Sequence, residues 1–165
     1  MPYMTVTHNA LCAISTLCEF VFSHSETIPP DITAMTFGIS PSVVTVRHNG
    51  GSLPIEGLSE DLAALFVKLK EYGVLTLSFV GFSDGIATRR EYGFSESGEI
   101  VSSCKESADS AQDGALFRLS LAEGKDAEKK SVSAIWESLA ALLEKMENPP
   151  VLSHVSLFMN GERIN

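Results

Sequence analysis

Gly81-Phe82-Ser83-Asp84-Gly85 is a literal G-x-S-x-G, the pattern that sets a serine nucleophile on a strained turn between a strand and a helix. Such a nucleophile needs a base and an orienting acid. His154 follows in the right chain order, with Asp109, Asp113 or Asp126 between. The surroundings argue against a hydrolase. Thr88, Tyr92 and Phe94 alternate after the motif as in a strand, and His154 lies in an apolar strand pattern. A Ser-Asp-Gly hairpin turn explains the same residues, with Asp accepting backbone hydrogen bonds and Gly permitting positive φ. No catalytic residue is therefore assigned, and a small serine hydrolase ranks below the binding functions considered next.

Metal chemistry has less support. Cys12 and Cys18 are six residues apart on a predicted helix, which rotates them about 120° from each other, so they cannot share one ion. His8, His24, His48 and His154 are scattered without i, i+3 or i, i+4 partners, and no metal ligand or cofactor is assigned. Cys18 is expected in the core and Cys12 less buried. Asn49-Gly50-Gly51-Ser52 is glycine-rich, but neither a G-x-G-x-x-G nor a Walker pattern is present, and a hairpin turn is the expectation. Arg89-Arg90 on a strand point to opposite faces and form no patch.

The strongest remaining signal is charge. Glu91, Glu96, Glu99, Glu106, Asp109 and Asp113 stand against Lys105 alone, so this stretch supplies −5 of the formal −9. Solvated carboxylates commonly do no more than keep a surface soluble. Their clustering on a predicted meander and its following loop instead suits a rim that steers a basic protein.

The elements that position these residues are legible in the periodicity. Thr7, His8 or Asn9 caps a helix to about Phe22, with Leu11, Ile14, Leu17, Cys18, Phe20 and Val21 on its stripe. Met35–Ile39 and Val43–Arg47 read as strands, and Asn49-Gly50 is expected to fold Ser52–Ile55 back as an edge strand. A helix runs from an N-cap at Ser59 to Tyr72, ending at Gly73. Leu75–Val80, Thr88–Phe94 and Glu99–Cys104 form a meander, with Leu75, Leu77 and Phe79 on one face. Lys105–Gly114 reads as a loop and Ala115–Leu121 as a strand. A last helix begins between Asp126 and Ser133 and ends near Glu147, its stripe built from Val132, Ile135, Trp136, Leu139, Leu142, Leu143 and Met146. Val151–Met159 reads as a buried closing strand.

The 165 residues, 44% hydrophobic and 20% charged, fit a single globular domain spanning 1–165. The fold class expected is α+β, a mostly antiparallel sheet of five to seven strands packed by two or three amphipathic helices. An excess of 21 acids over 12 bases disfavours nucleic acid and anionic membranes as partners. Three cysteines without a spacing framework, and no Lys or Arg before Arg47 to make a signal n-region, suggest a cytoplasmic setting. The function expected is non-catalytic binding of a basic protein, as by an acidic intracellular immunity protein neutralising a nuclease-like toxin. A secretion chaperone or adaptor is the alternative; it would present an apolar groove. Oligomeric state leaves no mark on the sequence.

Overall fold

The structure is a computed structural model, and it describes residues 5–25, 29–50, 58–83, 88–95, 101–106, 114–122 and 128–164. Chain order is β1 (Thr5–Thr7), α1 (His8–Ser23), β2 (Ala34–Ile39), β3 (Val43–His48), α2 (Leu58–Lys70), β4 (Val74–Ser83), β5 (Thr88–Ser95), β6 (Val101–Glu106), β7 (Gly114–Leu121), β8 (Lys129–Ser131), α3 (Ser133–Lys145), β9 (His154–Met159) and β10 (Glu162–Arg163). The main sheet runs β10-β9-β2-β3-β7-β4-β5-β6, in which only β2 and β9 pair in parallel. A separate two-stranded sheet joins β1 to β8. The fold is α+β.

Alternation in the strands makes the core. Leu157, Phe37, Val46, Phe117, Phe79 and Tyr92 are successive cross-strand partners, and all are buried. The next row, Ile39, Val44, Leu119, Leu77 and Phe94, is buried in the same way. Burying each such side chain contributes about 1.5–3 kcal/mol. The opposite face carries Thr45, Arg118 and Ser78 in one row and is polar. A period of two therefore gives one face to the helices and the other to solvent.

Thr7 caps α1: its hydroxyl accepts the Ala10 amide at 3.1 Å. Ala13, Ile14, Leu17, Cys18 and Val21 of α1, with Leu62, Leu65, Phe66 and Leu69 of α2, cover the sheet. In α3 only Ile135 and Leu139 are buried among the described residues, and the remainder of its stripe is partly exposed.

Several expectations need correction. Ser52–Ile55, the expected return strand, lies outside the described residues, and β3 itself pairs with β2 on one side and β7 on the other. Leu75 does not share a face with Leu77. A β-bulge between Val74 and Thr76 turns Leu75 outward, and Val74 takes the inward position. Lys105 and Glu106 belong to β6 and Gly114 to β7, which narrows the expected loop. Val151 is exposed, and the closing strand starts only at His154. Near the sheet edge, β9 buries Leu157 alone. Leu58 opens α2, so Ser59 lies within its first turn and not at the cap.

Candidate functional site

Two polar stripes meet where α1 and α2 converge. Thr16, Glu19 and Ser23 recur along α1 at i, i+3 and i+7, and Asp61, Ala64 and Lys68 do the same on α2. That spacing puts each set on one helix face. They line a groove of about 240 Å³ together with Phe20, His24 and Leu65. His24 terminates α1, its backbone amide donating to Phe20 O at 3.1 Å. Its Nδ1 lies 3.0 Å from the same carbonyl, which can only accept, so Nδ1 carries the proton. Nε2 then faces Asp61 Oδ2 at 4.0 Å across the groove. Two carboxylates therefore oppose the single ammonium group of Lys68.

An aromatic chain leads from the groove wall into the sheet. Phe20 stacks on His24 at 4.1 Å between centroids and meets Phe117 edge-on at 6.4 Å; Phe117 lies 6.4 Å from His48. His48 is the inward residue after Val44 and Val46 and is 3% exposed. The Gly50 amide donates to its Nδ1 at 3.1 Å, which leaves the proton on Nε2. That Nε2 is buried and has no hydrogen-bond partner among the described residues. Burial lowers the imidazole pKa to about 4 and Asp31 opposes the shift, so His48 is neutral near pH 7.

The chain around His48 is tightly fixed. Asn49 Oδ1 accepts the amides of Thr33 and Ala34, each at 3.0 Å, and its Nδ2 donates to Thr33 Oγ1 at 2.8 Å. Asn49 thus clamps the start of β2, where a hairpin turn was expected. A Cβ on Gly50 would come within 2.6 Å of Ile32 Cγ1, so only glycine fits without displacement.

Ser83 is the last residue of β4 and pairs with Thr88 of β5, so among the described residues a strand, not a helix, is the next element after the motif. His154 lies on β9, separated from β4 by β2, β3 and β7. Four strand spacings amount to roughly 19 Å, which keeps the two residues from acting together. Among the acidic residues, Glu91 lies on β5 opposite Ser103, and Glu106 ends β6 opposite Thr88. Their side chains, and Glu96, Glu99, Asp109 and Asp113 altogether, lie outside what is described. Large exposed apolar residues among those described are Val67 on α2, Leu75 on β4 and Val151 before β9. No described helix is long and apolar enough to cross a membrane. The groove residues were not singled out from sequence, although the i, i+3, i+7 recurrence of Thr16, Glu19 and Ser23 was a usable signal.

No family model matches the chain, and no curated protein does. Among solved structures it is similar to the Aquifex aeolicus MutL ATPase domain complexed with ADP, with a TM-score of 0.57 at 14% sequence identity. The likeness covers 94% of this chain and 61% of that one, so the chain spans less than two thirds of its neighbour's length. At that identity the likeness is one of fold.

Proposed function

We propose that this chain is a nucleotide-binding domain that holds the phosphates of an adenine nucleotide in the groove between α1 and α2. The observation that carries the reading is the likeness in fold, over 94% of the chain, to an ATPase domain solved with ADP. The groove adds chemistry in its favour. Lys68 supplies a cation for phosphate and Thr16 a hydroxyl donor, while the Ser23 hydroxyl is already donated to Phe20 O at 3.2 Å. With Glu19 and Asp61 present the groove is net acidic, so phosphates need a divalent cation bridging them to the carboxylates. Mg²⁺ suits that role, since it is commonly held by one or two carboxylates plus substrate phosphates. Glu19 is the groove carboxylate on α1 and the candidate to activate water if a γ-phosphate is present. This reading departs from the non-catalytic function expected from sequence.

Titration of the chain with a fluorescent ADP analogue in Mg²⁺ tests it. Saturable binding that unlabelled ADP displaces, and that Lys68→Ala weakens, is expected. Failure to bind with Mg²⁺ present, or equal binding by Lys68→Ala, overturns it.

A second reading keeps the acidic stretch as a docking rim for a basic protein such as a toxin. The observation in its favour is that β5 and β6, which carry Glu91 and Glu106, are the last two strands at one edge of the sheet. Replacing all six acids with Gln or Asn should slow association and remove its salt dependence, since peripheral charges act mainly by steering. Surface plasmon resonance across a salt series reads this, and unchanged association would leave the stretch a solubilising surface. A cytoplasmic setting is compatible with Cys12 and Cys18, which are free thiols.

A further inference from the structure

We propose that His8 and Cys12 form a binding site for a divalent cation of the Zn²⁺ class, at the opposite end of α1 from the groove. They stand at i and i+4 on the first two turns of the helix, a pairing that a search for histidine partners alone passes over. His8 Nε2 and Cys12 Sγ are 3.4 Å apart. Zinc–sulfur and zinc–nitrogen bonds of about 2.3 and 2.05 Å at a tetrahedral angle put the two donors about 3.6 Å apart. An ion therefore fits between them with little movement.

The backbone beneath His8 is held in place. Its amide donates to Glu128 O at 2.7 Å, next to the β1–β8 ladder that pairs Thr7 with Lys129, and Thr7 caps the helix. The His8–Cys12 contact is exposed, so an ion can reach it from solvent. Imidazole with thiolate favours Zn²⁺, Co²⁺ or Cd²⁺ over Mg²⁺ and Ca²⁺, which prefer oxygen. On binding, the Cys12 thiol releases its proton to water as the metal–sulfur bond forms. Among the described residues no group of three or more His, Cys, Asp or Glu side chains gathers round one point. The remaining coordination positions are thus left to water or an added ligand. Cys18 is 2% exposed and takes no part.

Co²⁺ titration of the full chain, read by thiolate-to-cobalt charge-transfer absorption, tests the site. The band is expected to saturate at one Co²⁺ per chain, to survive Cys104→Ser and to be displaced by Zn²⁺. Cys12→Ser should abolish it, and His8→Ala should raise the apparent Kd at least about tenfold, the scale on which metal sites lose affinity. His8 is exposed and Cys12 half-buried, and circular dichroism confirms that the variants fold. A band that persists in Cys12→Ser, equal affinity in His8→Ala, or no band in the unaltered chain overturns the proposal. Nucleotide binding is untouched by any of these outcomes.

Discussion

The Gly50 amide donates to Nδ1 of His48 at 3.1 Å, and this bond decides where a buried imidazole keeps its proton. With Nδ1 as acceptor the neutral ring bears its hydrogen on Nε2, inside the core and without a partner among the described residues. A second proton would have to displace the Gly50 amide from Nδ1. The bond thus opposes charging in the same sense as the burial that lowers the pKa to about 4.

Stability should consequently depend on pH through His48. The unfolded imidazole titrates near 6.5, so between about 6.5 and 4 the unfolded chain binds more protons than the folded one. Stability rises with pH across that window. It is lost as pH falls through it, by an amount on the order of 3 kcal/mol for this residue. Urea melts of the unaltered chain and of His48→Phe at pH 7 and pH 4.5 isolate the term. The variant should lose less stability between the two pH values, and parallel losses would mean His48 is not buried neutral.

The row through Phe117 should outweigh α3 in stability. Phe117 is fully buried, touches Phe79 at 5.0 Å between centroids, and has core residues beside it on both neighbouring strands. Phe117→Ala should cost about 3–5 kcal/mol. Leu139 is 8% exposed on a helix that buries only one other described side chain, so Leu139→Ala should cost about 2 kcal/mol. Equal costs in denaturant melts would show that α3 is as much a part of the core as the sheet.

Gly114 should tolerate no side chain. It starts β7 at φ +134°, and a Cβ there would lie 2.1 Å from the His48 carbonyl oxygen, a backbone atom that cannot rotate away. Gly114→Ala should therefore destabilise by at least about 1–3 kcal/mol. Gly93, whose added Cβ meets nothing within 4 Å, is the control and should change stability by less than about 0.5 kcal/mol as alanine. Thermal melts of the two variants give the comparison.

What the sequence made legible was local. Thr7 before an apolar period of 3.6 gives α1, and alternation through Val44, Val46 and His48 gives β3 and already points the imidazole inward. The bulge at Leu75 escaped notice because one extra residue shifts a pattern without erasing it. Lys-Lys-Ser in β8 has no strand signal, and it pairs only because β1 lies beside it. Sheet order is non-local: β7 inserts between β3 and β4, although α2 and three strands separate β3 from β7 in the chain. The groove was hidden for the same reason, since its halves lie on helices whose approach no short window of sequence records.

Binding in the groove should require a divalent cation, because its fixed charges are wrong for bare phosphate. Glu19 and Asp61 face the volume that Lys68 alone makes attractive to an anion. Without Mg²⁺, nucleotide phosphates meet two carboxylates and one ammonium group, and like charges at such distances repel. EDTA should therefore weaken ADP binding at least about tenfold, a cost of about 1.4 kcal/mol. Converting Asp61 to Asn removes one carboxylate, and should both reduce the Mg²⁺ dependence and weaken the Mg²⁺-bound complex. Glu19→Gln separates binding from turnover. If Glu19 activates water, the variant loses any ATP hydrolysis while its Mg²⁺-ADP binding weakens no more than that of Asp61→Asn, since an amide oxygen still reaches the cation but cannot take the proton. Calorimetry and a phosphate-release assay on the same samples read both quantities. ADP binding indifferent to EDTA would place the ligand away from these carboxylates, and hydrolysis intact in Glu19→Gln would take the base from another residue.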